Sequence, residues 1–358
     1  MRKIAIVCGV LGAIFVAASL LLAFWITPTY VARLQDNANI VRNYNGTVRT
    51  LLNPAALRSG NLSGAITTGA SETLRRQVTV KQTAGNTALV RDTTTATVAG
   101  RQIGGISSNY AISRTTFQAT ATHPSNWSIT KATGQTFNWP IGAKRQNYTG
   151  WVPQTETTVP LRYVGQQPQG GINTNVYQAN VPLSPIKNPQ LLASLPTSLP
   201  VSLLPGAVKA GLISPSLVAS LAKAFPGAKT VPLGYAYTNT AKFWVAPPTG
   251  VVVNEKLTEI EMGGVKLPSG KLVPVFPVLS DSYAFTSSSV SGAVSDANNG
   301  SSTINTWGIV VPIVVGIVGF LLLAAAAMLW IRGRRHGVGG PPHAARGPSM
   351  DPAHADSR

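Results

Sequence analysis

The sequence predicts a mainly β (α+β) extracytoplasmic domain of short antiparallel strands with a few short helices, anchored by an N-terminal and a C-terminal transmembrane helix. Three observations predict it. Two uncharged runs, Ile4 to Ile26 and Trp307 to Ile331, are each long enough to cross a hydrocarbon core of about 30 Å. Between them the chain is rich in Thr, Val, Ile and aromatic residues, alternating polar with apolar and broken by Gly or Asn. No helix-by-strand alternation of the kind that builds a parallel sheet is present.

Taken in order, residues 1–3 carry Arg2 and Lys3, which place the N-terminus in the cytoplasm and make 4–26 the first span. A cleaved signal is the alternative. The run is longer than a signal's apolar core and ends in Phe24, Trp25 and Ile26 without a small-x-small site, which favours an uncleaved anchor. Residues 27–285 form the β-rich domain. Gln77 to Thr83 and Thr87 to Thr93 read as strands around an Ala84-Gly85-Asn86 turn. Thr94 to Val98, Tyr110 to Thr120, Tyr235 to Val245, Gly250 to Lys256 and Lys271 to Phe285 read as further strands.

An apolar helical insert is expected over 182–228, where prolines cut a Leu-rich, acid-free stretch. Short helices are expected from Pro189 to Leu195 and from Pro215 to Phe225, the second capped by Ser214. These helices either cover the apolar face of the sheet or form a mobile apolar lid. The lid residues would be Leu203, Leu204, Leu212, Leu217, Leu221 and Phe225. Residues 286–306, mostly Ser, Gly, Asn, Thr and Ala, read as a flexible stalk. The second span follows at 307–331. Arg332, Arg334 and Arg335 then place 332–358 in the cytoplasm as a disordered tail. The expected location is the plasma (inner) membrane, two-pass, with the large domain in the periplasm.

The outer region carries 22 basic and nine acidic residues, a net +13 of the chain's +18. This suits anionic partners or simple solubility; nucleic acid is a poor candidate outside a membrane. The one cysteine, Cys8, lies in the first span, so the outer domain has no disulfide and fits a bacterial envelope better than a secreted animal module.

Chemistry-bearing groups are sparse. The only histidine of the outer domain is His123, followed by Pro124, and no metal-ligand spacing occurs. Neither a cofactor nor a catalytic site is expected. Glu255, Glu259 and Glu261 would share one face of an extended segment. They read as a solvated face neutralised by Lys256 and Lys266, with a glycan hydrolase or transferase, or a calcium site, as the alternative. Aromatic residues interleaved with cations are the candidate lipid- or glycan-binding set: Trp127, Phe137, Trp139, Lys144, Arg145, Tyr148, Trp151 and Tyr163, with Phe243 and Trp244 further on. Ordinary core packing is the competing reading for all of them.

The stretch Asn138-Trp139-Pro140-Ile141-Gly142-Ala143-Lys144-Arg145-Gln146-Asn147-Tyr148 resembles the (F/W)PF-x-x-(E)K(K/R)-x-Y core of an actinobacterial membrane-protein family labelled "porin PorA". Tyr163-Val164-Gly165 with Gly171 to Tyr177, Phe243 to Val253 (FWVAPPTGVVV) and Tyr110 to Thr116 (YAISRTT) resemble its other blocks. Departures are Ile141 for the second Phe, Trp151-Val152 for an aromatic-Asp pair, and Ser113 for the Asp before Arg114. The resemblance implies a β-rich domain clamped between two spans, similar in layout to class B scavenger receptors. It also implies a part in mycolate or lipomannan envelope biogenesis.

The expected function is therefore a non-enzymatic inner-membrane protein whose periplasmic domain binds or hands over envelope lipid or glycolipid. Its partner would be an inner-membrane lipid exporter or envelope synthase. A scaffold for such proteins without a lipid site is the alternative. A membrane pore is not expected, because the strands read as too short for a spanning barrel.

Overall fold

The structure is a computed structural model and describes residues 2–53, 56, 65–209, 211 and 213–335. The chain divides into two compact units, one from residues up to Thr27 together with those from Thr306 onward, the other from Pro28 to Asn305.

The first unit is a pair of helices. Helix α1 (Arg2–Leu21) widens into π-helical turns over Leu22–Val31, which contain Pro28. A π-helical turn, Thr306–Val310, likewise precedes α6 (Val311–Arg335). Both helices are long and apolar enough to cross a membrane. They pack antiparallel through small residues. A Cβ on Gly12 would stand 2.8 Å from the Gly319 carbonyl oxygen, and one on Gly319 would stand 2.9 Å from that of Gly12. Such close backbone approach is how helices associate where no hydrophobic effect acts between them. Ser19 and Thr27 donate their hydroxyls across the pair to the Pro312 and Trp307 carbonyls, at 2.6 and 2.8 Å. Beyond Arg335, the tail lies outside the described residues; Arg332 to Arg335 continue α6.

The second unit is built on one antiparallel sheet. Its strands are β1 (Asn39–Leu52), β2 (Ile66–Thr67), β3 (Ala70–Ala84), β4 (Thr87–Val98), β5 (Arg101–Ser113), β6 (Tyr148–Val152), β7 (Thr157–Gln169), β8 (Ile172–Pro185), β9 (Ser198–Pro200), β10 (Thr230–Val245), β11 (Val252–Lys266) and β12 (Leu272–Phe285). The order is β5-β4-β3-β1-β12-β11-β10-β8-β7-β6, with β2 on β1 and β9 on β10. Single-residue bridges then run from Ile112 in β5 to Ala119, from Gln118 to Gln135, and from Gln135 to Gly150 in β6. The path of pairings closes on itself, and the sheet is a barrel.

The mainly β class is as expected, but the strands are long. All on this path except β6 run from 12 to 16 residues. Glycines that resemble turn punctuation are strand residues here, at Gly46, Gly104, Gly105 and Gly234. Register shifts fall at Tyr163/Gly165 and Gly263/Gly264. An extra residue on one strand bends a sheet and deepens its twist, and closing a ring requires both.

Strand length therefore does not exclude a membrane-spanning barrel, and the outer row of β3 is the relevant surface. Ser71, Thr73, Arg75, Gln77, Thr79 and Lys81 of β3 form the row opposite the buried Glu72, Leu74, Val78 and Val80. A membrane barrel carries apolar side chains on that outer face.

Three short helices fill the insert: α2 (Pro189–Ser194), α3 (Leu204–Lys209) and α4 (Pro215–Ala224). Asn188 caps α2, and Ser214 caps α4 by accepting from the Leu217 amide at 3.2 Å.

The expected stalk is instead helix α5 (Ser287–Asn305), packed against β1, β11 and β12. Thr286 caps it by accepting from the Ser289 amide at 3.1 Å. Ser289, Ala293 and Ala297 form a buried stripe at four-residue spacing, and Ala293 and Ala297 are 0% and 2% exposed. The small residues that suggested a linker are what let this helix lie close to the sheet. Tertiary packing outweighs their weak helix propensity.

Candidate functional site

A cavity of about 660 Å³ occupies the barrel, lined by side chains from all ten strands of the closed path, by Gln135 to Phe137 and Trp139, and by α2. The volume lies within the ordinary range for small-molecule sites. Much of the wall is apolar, including Leu74, Val98, Leu161, Val181 and Leu257. The lining residues Arg101 to Gly105 at the start of β5 are exposed and mark the mouth. Further along β5, α2 is held to the strand by a reciprocal pair: Ser107 N–H donates to Gln190 Oε1 at 2.9 Å, and Gln190 Nε2 donates to the Ser107 carbonyl at 2.7 Å.

The wall contributed by β11 is acidic. Glu255, Leu257, Glu259 and Glu261 face inward, while Lys256 and Lys266 are exposed. The expected solvated face is therefore the buried one, because ring closure turns this row of side chains into the lumen. Glu255 accepts from the Tyr44 hydroxyl at 2.8 Å, and Glu259 accepts from the Tyr237 hydroxyl at 2.7 Å. Burial raises the pKa of both carboxyls. Glu261, without such a partner, is pushed up to about 8 by burial and by Glu259.

Behind this wall lie Glu72 and Asp281, 2% and 0% exposed. Burial raises both, the nearby Glu259 adds to it, and the two carboxyls are close enough to share a proton. Burial thus makes these inner carboxyls weaker acids than in water, and the outside of the domain is basic.

The deep end of the lumen lies along β5 from the mouth. Six residues separate Gln102 from Ser108, about 20 Å at strand rise. Arg76 meets Asp92 with two hydrogen bonds, 3.1 and 2.6 Å, and donates to the Thr136 carbonyl at 2.8 Å. Gln135, 4% exposed, lines the cavity with neither amide atom partnered among the described residues. The Trp139 indole N–H and the Thr136 hydroxyl are in the same state.

Of the aromatic set, Phe137, Trp139, Trp151 and Phe243 line the lumen. The others do not. Trp127 is buried in a separate small cluster and stacks on His123, whose Nδ1 lies 2.8 Å from the Pro124 carbonyl. Tyr148 and Tyr163 pack edge-on against Tyr177, a fully buried ring that the sequence did not single out. Lys144 and Arg145 are exposed. Trp244 donates to Gln167 Oε1 at 3.0 Å beneath the Lys242 ammonium.

Among the lid candidates, Leu204 and Leu221 are buried in the main core, and Leu203, Leu217 and Phe225 pack against it. Leu212 lies outside the described residues. Among the described residues, those of the insert that reach the cavity are Leu191 and Ser194 of α2 and Leu195 at its C-cap.

The sequence blocks at 138–148 and 243–253 touch each other. Trp139 N–H donates to the Gly250 carbonyl at 2.9 Å, and Ala143 N–H donates to that of Pro247 at 2.8 Å. Gly250 has φ +72°, and a Cβ there would stand 1.9 Å from the Trp139 carbonyl oxygen. Tyr177 and Tyr148 then hold the Lys144 backbone, Tyr177 donating to its carbonyl at 2.7 Å and Tyr148 accepting from its amide at 2.8 Å. These residues fasten the loop that carries Trp139. In the third block, Arg114 is 2% exposed and clamps the Leu34 carbonyl at 2.8 and 2.6 Å, together with Asp36.

Glu72, Arg76, Asp92, Gln135 and Asn239 are lumen or near-lumen groups that sequence reasoning passed over. A signal exists for the first two: Glu72, Leu74, Arg76 and Val78 alternate with Thr73, Arg75 and Gln77, so a carboxylate and a guanidinium sit in the apolar register.

No curated protein matches the chain. Among solved structures, an acyl-CoA thioesterase II from Mycobacterium marinum is similar at 12% identity, over 70% of this chain and 82% of that one, with a TM-score of 0.12. That likeness supports no argument. The family model described as Porin PorA matches residues 4–328. With two apolar terminal helices that fit a two-pass membrane protein and a β domain between them, the chain belongs to the Porin PorA family.

Proposed function

We propose that this is a non-enzymatic inner-membrane protein whose periplasmic barrel binds an envelope lipid or glycolipid and hands it to a membrane partner, an exporter or an envelope synthase. One observation carries the reading: a lumen of about 660 Å³ bounded by all ten strands, mostly apolar, with polar groups gathered along one wall and at one end. Apolar burial drives such binding at about 0.8 kcal/mol per CH₂, so an acyl chain binds without help from a catalytic group. Glu255 and Glu259 are engaged by tyrosine hydroxyls, which supports a binding wall over an acid/base pair. The polar outer row of β3 argues for a carrier over a pore, whatever the family label. A scaffold without a lipid site has no need of this cavity.

The test is mass spectrometry of lipid extracted from the full-length protein, purified from a host with a mycolate envelope. A stoichiometric amphiphile supports the carrier. Stable protein free of lipid, with no uptake of added amphiphile, sinks it.

A further inference from the structure

The lumen is polar in a particular place. Its exposed rim carries Ile103, and Val98 and Leu279 lie on the wall. Three of the unpartnered polar groups, Gln135, Thr136 and Trp139, line the other end of the cavity, where Gln135 and Trp139 are 4% and 3% exposed. Buried amide and indole N–H groups left without partners cost stability, and natural proteins keep few of them without reason. Three polar groups of one cavity end in that state mark a place where a ligand supplies the missing bonds.

The charges at this end say what kind of ligand. Arg76 is the one guanidinium there among the described residues. It is already occupied by Asp92 and the Thr136 carbonyl, with Glu255 close by. A phosphate or carboxylate would face two acidic groups and find no free cation. A hydroxyl group both donates and accepts, and this end offers both. The Gln135 amide supplies a donor and an acceptor, Trp139 a donor, Thr136 either, and the carboxyls acceptors. The rings of Phe137 and Trp151 line the same end and offer apolar surface to the C–H face of a sugar ring.

We propose that the barrel takes its ligand head first, and that the head group is an uncharged polyhydroxyl group of the sugar class, seated on Gln135, Trp139 and Thr136 with the aliphatic part toward the mouth. This rests on the carrier reading above and names the chemistry of its cargo. It runs against the anionic partner that the outer region's net +13 suggests, because Arg76, the one guanidinium at this end among the described residues, is already paired with Asp92.

The test uses full-length protein held in an amphipathic polymer without detergent. It is titrated with n-octyl β-glucoside, n-octyl phosphate, n-octanol and free glucose, followed by calorimetry and tryptophan fluorescence. The glucoside is expected to bind at least about tenfold tighter than the phosphate. Gln135→Met and Trp139→Phe, both close in shape to the parent, are each expected to weaken glucoside binding about fivefold while leaving octanol binding unchanged.

Equal or tighter binding of octyl phosphate overturns the inference. So does glucoside affinity in both variants indistinguishable from the parent. If no octyl probe binds, the carrier reading falls as well. If free glucose binds as tightly as the glucoside, the sugar subsite stands and the lipid reading falls.

Discussion

Replacing Glu261 by Gln should make the protein more stable in mild alkali and leave it unchanged in acid. The folded barrel holds this carboxyl at about 8 against an ordinary 4.5, through burial and the neighbouring Glu259. Below 4.5 the group is protonated whether the chain is folded or not, and it contributes no pH dependence. Between 4.5 and 8 the unfolded chain gives up the proton and the barrel retains it, so stability falls as pH rises and stays low above 8. At 1.36 kcal/mol per pKa unit the ceiling is about 5 kcal/mol. Solvent reaching Glu261 through the open lumen reduces this to about 1–2 kcal/mol. For a domain of this size that is a rise in Tm of about 2–8 °C. The assay is thermal unfolding of full-length parent and variant, followed by circular dichroism at pH 4.5 and pH 8.5. A stability gain of the same size at both pH values, or a loss at pH 8.5, would refute the placement of this carboxyl in a desolvated lumen.

Three further outcomes are expected. Gly250→Ala meets both a left-handed backbone and the Trp139 carbonyl, so it should cost about 3 kcal/mol or more and alter the near-ultraviolet circular dichroism of the tryptophans. Arg114→Met leaves the Leu34 carbonyl unpaired and should cost about 2–4 kcal/mol in denaturant unfolding, with Arg114→Lys recovering only part of it. Gly319→Leu inserts a side chain where the two terminal helices touch. At an overpacking cost of about 1–3 kcal/mol it should lower disulfide formation between Ser19→Cys and Gly316→Cys in a Cys8→Ser background.

What the sequence reveals and what it hides have physical causes. Ile4 to Ile26 and Trp307 to Ile331 are legible because bilayer thickness sets their length. The turn at Ala84-Gly85-Asn86 and the helix starts at Pro189 and Pro215 are legible because local backbone chemistry decides them. Barrel closure is not, since it depends on Gln118 and Gln135, isolated bridge residues with no periodic pattern around them. Alternation also cannot say which side of β11 is inside when the inner row carries Glu255, Glu259 and Glu261. Density along the chain gathers the aromatic and cationic residues from Trp127 to Tyr163, which brings in Trp127 and Lys144. The lumen gathers by distance in space, from Tyr44 to Tyr283, and so draws in Arg76 and Gln135 from separate stretches.

The position of β12 bears on how this domain is made. The last strand to leave the ribosome is not an edge: it lies between β1 and β11 and pairs along its length with both. Strands β1, β3, β4 and β5 form a local meander that needs nothing beyond Ser113, and β10 and β11 can pair as a hairpin. Joining the two halves waits for residues 272–285, and it closes a chain loop of more than 200 residues. Such pairing is slow to form, and until it does the facing edges of β1 and β11 stand unpaired. A nascent barrel of this family is therefore most exposed to misassembly just before its final strand arrives, and truncations that remove β12 should aggregate rather than yield a smaller folded domain.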